Sequence, residues 1–270
     1  MGHFEALIYG LVQGATEYLP VSSSAHLLVL PHIFGQKDPG LAFDVILHFG
    51  TLLATAVYFF KDWVAILKTP MPQPDSEGSL RHLSWVHLIV GTLPAVIVGL
   101  LLNHWIQDHT RSLVILWVTL PVFGVLLWWV DRVKPKDRKM SDTTVKDMFI
   151  VGCAQTLALI PGVSRSGSTI TATRYLGFNR GDAARISFLM SLPVTAGAIV
   201  YESRHWREII ESANGMGSLL IALTAALVSG AFAIHYLIKW VSKSNYAVFA
   251  AYRVLAGILI AVFLGTGSDS

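Results

Sequence analysis

The chain has 270 residues, of which 53% are hydrophobic and only 14% charged, with a mean hydropathy of +0.57. A soluble domain carries about 25% charged residues, so this deficit assigns most of the chain to lipid, and it is counted in membrane crossings rather than soluble domains. The net charge of +3 gives no footing for nucleic acid as a partner, and Cys153, the single cysteine, excludes an intramolecular disulfide or a cysteine metal cluster.

In chain order, the first residues, Met1 to Glu5, lack a basic stretch and a small-residue cleavage site, so insertion is expected to use the later apolar segments themselves. The first apolar region, near 4–34, is interrupted by the polar run from Gln13 to His26, which contains Gly14, Glu17, Pro20 and Ser22-Ser23-Ser24. Apolar stretches near 42–60, 84–102 and 113–130 are each long enough, at about 17–25 residues, to cross a bilayer as a helix. Between the first two of these, the Pro-rich piece from Thr69 to Ser79 reads as a solvated loop. A dense basic loop follows at 131–146, then a second interrupted apolar region near 147–176, broken by Pro161-Gly162-Val163-Ser164-Arg165-Ser166-Gly167-Ser168-Thr169. Three more crossings are expected near 184–201, 218–240 and 246–264. Trp63, Trp105, Trp128 and Trp129 fall near crossing ends and read as interfacial anchors.

Each half of the two interrupted regions is expected to run roughly 10–13 residues, too short to span. A helix that breaks and returns to its own side is the economical arrangement. Non-helical backbone at membrane depth is tolerated only where protein or water satisfies it, so both breaks are expected to face a polar cavity. The breaks also resemble each other: Gly10, Gln13, Val21, Ser22 and Ser24 recur 142 residues later as Gly152, Gln155, Val163, Ser164 and Ser166, with Pro20 and Pro161 one residue out of step. Each break precedes three crossings, an odd number, so the second unit must enter the membrane from the opposite face.

The expected fold is therefore an all-α polytopic membrane protein: six transmembrane helices plus two re-entrant helix-loop-helix segments in an inverted-topology repeat, with the site near the midplane. The repeats would cover 1–130 and 147–270, joined by the basic loop 131–146. Thirteen of the twenty Lys and Arg residues fall on the face holding that loop, and only Lys37, Arg111, Arg204 and Arg207 fall on the other. The bias puts the first face in the cytoplasm and both termini outside. Arg165, Arg174 and Arg253 lie inside apolar regions.

The breaks carry the chemistry. Glu17, His26 and Arg165 are ionisable at membrane depth, where such a group costs at least ~2.5 kcal/mol even on the lenient insertion scale, and is therefore usually paired, hydrated or functional. Arg165 offers a planar fork of donors that matches phosphate oxygens. The helix start beside it adds free N–H groups and the positive dipole end, and Ser164, Ser166 and Thr169 add hydroxyls. The competing reading is that Arg165 pairs with a buried carboxylate such as Glu17. In the first break Ser22 and Ser23 are candidate nucleophiles. His26 lies three to four residues on, one helical turn away, as a candidate acid or base. The competing reading makes Ser22 to Ser24 helix caps and His26 structural. Glu17 suits a hard divalent cation, Mg²⁺ or Ca²⁺. Asp44 and His48, four apart, share a helix face; His48 reads as a structural hydrogen-bonding group, and Asp44 is left open. The depth of Arg253 implies a buried partner.

The segment Gln13-x-x-x-Glu17 with Leu19-Pro20-Val21-Ser22-Ser23-Ser24-Ala25-His26 resembles the first signature of the bacterial undecaprenyl-diphosphate phosphatases, and Pro161 to Thr169 resembles their second. The likeness extends over nearly the whole chain. It implies removal of the terminal phosphate of undecaprenyl diphosphate in the bacterial inner membrane. That step regenerates the lipid carrier for peptidoglycan and so supports cell shape; depleting the diphosphate confers bacitracin resistance. It implies an active site open to the outer face and dependence on a divalent cation. By similarity Ser23 is the favoured nucleophile with His26 as its acid/base partner, Glu17 handles metal or proton, and Arg165 holds the phosphates with Ser22, Ser164, Ser166 and Thr169. Gln13 stands where other members have Glu; an amide is no general base, so Gln13 is expected to orient ligand or bind metal weakly. A homodimer is an open possibility. The main alternative function is an inverted-repeat transporter or flippase of a polyprenyl phosphate lipid.

Overall fold

The computed structural model describes residues 2–68 and 83–266; the loop expected at Thr69 to Ser79, and Arg81, lie outside these. Twelve α-helices follow in order among the described residues: α1 (His3–Tyr18), α2 (Ser23–Phe34), α3 (Leu41–Tyr58), α4 (Phe60–Lys68), α5 (Trp85–Thr110), α6 (Leu113–Val133), α7 (Val145–Thr156), α8 (Arg165–Tyr175), α9 (Arg180–Glu202), α10 (Trp206–Ser212), α11 (Met216–Val241) and α12 (Ala247–Thr266). The only β-type pairing among the described residues is one isolated bridge, between Arg138 and Phe178.

Among the described residues, six helical stretches are long and apolar enough to cross a membrane: Leu41–Tyr58, Trp85–Leu102, Leu113–Val133, Arg180–Ser212, Met216–Val241 and Ala247–Gly265. They fall where apolar length predicts them, and the differences lie at the ends. Helix α9 begins at Arg180 rather than near 184 because the Asn179 side chain caps it, accepting from the Asp182 amide at 2.9 Å. Helix α1 has 16 residues, longer than expected. At 1.5 Å per residue that is about 24 Å, still less than the ~30 Å hydrocarbon core. The short helices α4 and α10 were not foreseen.

Helices approach closely where residues are small. A Cβ on Gly10 would lie 2.8 Å from the Ala222 carbonyl carbon and from Ala225 Cβ, and one on Gly14 would lie 2.6 Å from the Gly230 amide, so α1 and α11 pack nearly backbone to backbone. Gly152 of α7 meets Gly91 of α5 in the same manner. Without a hydrophobic drive between helices in lipid, such small-residue contacts and interhelical hydrogen bonds hold the bundle.

Charge collects at two ends. At one, buried Asp131 accepts from Arg174 at 2.9 Å and from Arg180 at 2.8 Å, Arg138 meets Asp147 at 2.6 Å, and Arg185 meets Asp62 at 2.8 Å. Arg174, expected within an apolar region, thus belongs to this basic end. At the other end Arg111 bridges Asp38 at 2.8 Å and Asp44 at 2.6 Å. Gln36, just past α2, donates to Glu5 at the start of α1 at 2.6 Å. At the basic end Arg138 donates both to Asp147 near the start of α7 and to the Leu176 carbonyl after α8, each at 3.1 Å through Nη1.

Candidate active site

The two interruptions meet inside the bundle. Between α1 and α2 the chain turns within Leu19–Ser22, and Ser22 takes φ 74°. Between α7 and α8 it passes through a 3₁₀ turn, Leu157–Leu159, and Gly162, and Ser164 takes φ 73°. A left-handed serine is uncommon, and such conformations cost about 1–3 kcal/mol each. Two serines hold matching φ values at the same position relative to the following helix. In each case this presents the next side chain, Ser23 or Arg165, as the first residue of a helix.

Arg253 of α12 stitches the turns together. It is fully buried. It donates to the carbonyls of Pro20 at 3.2 Å, Gly162 at 2.7 Å, Val163 at 3.0 Å and Leu120 at 3.1 Å. Its buried partners are therefore three backbone carbonyls of the breaks and one of α6, not a carboxylate. Ser166 adds a direct bond from the second break to the first, donating to the Leu19 carbonyl at 3.1 Å.

At the centre lies the Glu17 carboxylate, 5% exposed. Its Oε1 pairs with Arg165 Nη2. Its Oε2 accepts from Ser23 Oγ at 2.6 Å and from Gln13 Nε2 at 3.1 Å, and lies 3.2 Å from His48 Nε2. Of the residues named from the sequence, Gln13, Glu17, Ser23 and Arg165 thus converge. The reading of Arg165 as a partner of Glu17 describes this arrangement. It leaves room for a ligand as well, because a guanidinium has five N–H donors, the Glu17 bond uses one, and the side chain is 17% exposed.

Other expected site groups are engaged elsewhere. His26 does not share its hydrogen bonds with Ser23: Nδ1 meets the Ser22 carbonyl at 2.7 Å, and Nε2 meets the Tyr252 hydroxyl at 2.6 Å. The group touching the Ser23 hydroxyl is Glu17. The reason is geometric, since Ser23 and His26 sit on the first turn of α2 while Glu17 approaches from the last turn of α1. Ser164 caps the Gly167 amide at 3.1 Å. Thr169 is fully buried, bonded to Ser187 at 2.7 Å and to the Arg165 carbonyl at 2.8 Å. Ser22 and Ser164 also meet Ser24 and Ser166, at 3.1 and 3.2 Å. These hydroxyls, expected around a phosphate, shape the breaks in this state.

Sequence reasoning named His48, but as a structural hydrogen-bonding group, and did not name Tyr252. The i, i+4 spacing of Asp44 and His48 was the available signal: the His48 Nδ1 contact with the Asp44 carbonyl, 2.7 Å, turns Nε2 toward Glu17. Tyr252 had no signal beyond its place next to Arg253.

For a divalent cation the donors are sparse. Among the described residues no three His, Cys, Asp or Glu side chains cluster as a metal cage. Glu17 supplies carboxylate oxygens, and Gln13 Oε1 is buried without a hydrogen-bond partner. Hard oxygens of this kind are the donor type that suits Mg²⁺ or Ca²⁺.

Fold and site together define a polytopic helical membrane protein whose two broken helix pairs enclose an acidic, serine-bearing centre faced by arginine. The chain belongs to the family described as bacitracin resistance protein BacA, which matches residues 6–259. It is 44% identical to a protein of Gemmatimonas aurantiaca named undecaprenyl-diphosphatase, over 95% of this chain and 96% of that one. It is 42% identical to one of the same name from Moorella thermoacetica, over 96% and 97%. A third, from Elusimicrobium minutum, is 40% identical over 97% and 98%.

Proposed function

We propose that this protein hydrolyses undecaprenyl diphosphate to undecaprenyl phosphate and inorganic phosphate, recycling the lipid carrier for cell-wall synthesis. The observation that carries this reading is the meeting of Ser23, Glu17 and Arg165 from two separate breaks, in a chain 40–44% identical to proteins named for that activity. Depleting the diphosphate is the route by which it would confer bacitracin resistance.

Arg165 holds the diphosphate, and the phosphate competes with Glu17 for the guanidinium. Glu17, released from that partner, takes the Ser23 proton across the existing 2.6 Å bond. Ser23 Oγ then bonds to the terminal phosphorus as the bridging P–O bond breaks and undecaprenyl phosphate leaves. Water attacks the phosphoserine, inorganic phosphate departs, and the proton returns to Ser23. Such transfer depends mainly on positioning and charge neutralisation. A Mg²⁺ or Ca²⁺ ion held by Glu17 and Gln13 Oε1 would neutralise part of the phosphate charge.

The same reading makes the two broken helix pairs re-entrant hairpins of an inverted repeat in the inner membrane, with the site open to the outer face. Three features support it. Each pair returns to its own end, through Gln36–Glu5 in one case and Arg138 in the other. The contact of α1 with α11 is matched by that of α7 with α5. The 142-residue offset makes Ser23 equivalent to Arg165, and both side chains meet Glu17.

The test is phosphate release from undecaprenyl diphosphate by purified protein in detergent. Release is expected and should fall with EDTA; a transporter or flippase would release none. Trapping a phosphoenzyme on Ser23 supports the serine route, whereas near-native turnover by Ser23→Ala overturns it.

A further inference from the structure

The side chain of Tyr252, on α12, lies far in sequence from either break, yet its hydroxyl oxygen is 2.6 Å from His26 Nε2. The two rings are stacked, with centroids 5.7 Å apart and planes 5° from parallel. The other imidazole nitrogen, Nδ1, lies 2.7 Å from the Ser22 carbonyl oxygen. A carbonyl only accepts, so Nδ1 carries the hydrogen; in the neutral ring Nε2 is then a lone pair, and the tyrosine O–H is its donor. The next residue, Arg253, is bolted to both breaks through three carbonyls and to α6 through that of Leu120, which fixes the height and rotation of α12 at this point. Tyr252 itself is 44% exposed, and Leu255, Ile258 and Leu259 on the same helix are open to the surroundings. The His26–Tyr252 pair therefore stands at the rim of the site, not on its floor, where Glu17 lies.

We propose that Tyr252 is a positioning residue for His26: its hydroxyl and ring hold the imidazole in the Nδ1–H form, with the Nε2 edge presented at the rim of the site. This rests on the hydrolase reading above. It also separates two jobs expected of one pair. Ser23 is served by Glu17, and His26 is aimed elsewhere, toward a ligand that reaches the rim and shares or replaces the Tyr252 hydroxyl. Without that hydroxyl the imidazole loses one of its two hydrogen bonds and is free to turn about its Cβ–Cγ bond.

Tyr252→Phe keeps the stacked ring and removes only the donor. Small misplacement of a group that positions the substrate costs up to about a hundredfold in rate. Tyr252→Phe is therefore expected to lower kcat for phosphate release by roughly ten- to a hundredfold while KM changes by less than about twofold. In a His26→Gln background it should cause no further loss. Nitrogen-15 NMR of histidine-labelled protein supplies a readout independent of activity. The His26 signals, identified by their loss in His26→Gln, should report Nδ1–H in the wild type and a mixture of tautomers in Tyr252→Phe. Native kcat in Tyr252→Phe, a loss that adds fully to that of His26→Gln, or an Nε2–H tautomer in the wild type would each overturn the proposal. Absence of phosphate release by the wild type would instead sink the hydrolase reading, and the nitrogen signals would still decide the role of Tyr252.

Discussion

Glu17 carries its charge at a depth where charge is costly, and four side chains from four helices share the work of holding it. Gln13 and Ser23 donate to one oxygen, His48 lies beside that oxygen, and Arg165 pairs with the other. Removing one partner of a buried pair leaves the other uncompensated and costs about 3–5 kcal/mol, so Glu17→Ala is a poor probe of mechanism. Arg165→Lys is a better one, because it keeps the positive charge and loses the fork that suits phosphate. We expect folding to survive, as judged by thermal unfolding in detergent, and phosphate release to fall at least about tenfold, the equivalent of ~1.4 kcal/mol in the transition state. Native turnover in Arg165→Lys would mean that a point charge suffices there. The identities of these residues were legible because polar groups stand out in apolar sequence. Their pairing was not: Ser23 has His26 within one turn and Glu17 six residues back, and only the reversal at Leu19–Ser22 decides which one it meets.

At the scale of elements, glycine marks where helices touch. On Gly14 any side chain would strike the Ala226 carbonyl and the Gly230 amide, which are backbone and cannot turn aside. Gly14→Val should therefore destabilise the α1–α11 contact by about 1–3 kcal/mol, seen as a lower unfolding temperature. Gly197, with nothing within 4 Å of a Cβ, should accept alanine with little change. The loop before α7 is fastened differently. Burial alone would raise the Asp147 pKa, but bonds from Arg138 and Thr144 outweigh it and hold the carboxyl below its ordinary value. Because the folded value is depressed, this anchor is fully present above the ordinary value of 3.8 and is lost as pH falls through the folded one. The protection of residues 140–150 from hydrogen exchange, taken relative to the unstructured rate at each pH, should stay high at pH 5–8 and drop only below about pH 4. Asp147→Asn should show fast exchange throughout. The helices themselves were readable from apolar length, while their ends were set by local bonds such as the Asn179 cap, which apolar length does not register.

For the whole molecule, the proposed re-entrant arrangement puts the basic loop 131–146 and Lys37 at opposite faces. This predicts the topology. In a Cys153→Ser background, a cysteine at Lys139 should be labelled by an impermeant thiol reagent only after the membrane is opened, and one at Lys37 should be labelled in intact cells. The reverse pattern would turn the site to the cytoplasm and overturn the outward-facing arrangement.

The sequence by itself determined the class of molecule, six crossings and the two polar breaks, because the cost of placing charge and open backbone in lipid is paid locally and shows residue by residue. It also carried the family, through two long signatures. Only the tertiary structure decided which groups share a hydrogen bond: that Arg165 and Ser23 grip opposite oxygens of Glu17, that His48 lies beside it, that Arg253 binds carbonyls rather than an acid, and that His26 turns to Tyr252. Those partners lie up to 233 residues apart. Their meeting is fixed by helix packing and by two left-handed serines, a geometry that no periodicity in the chain encodes.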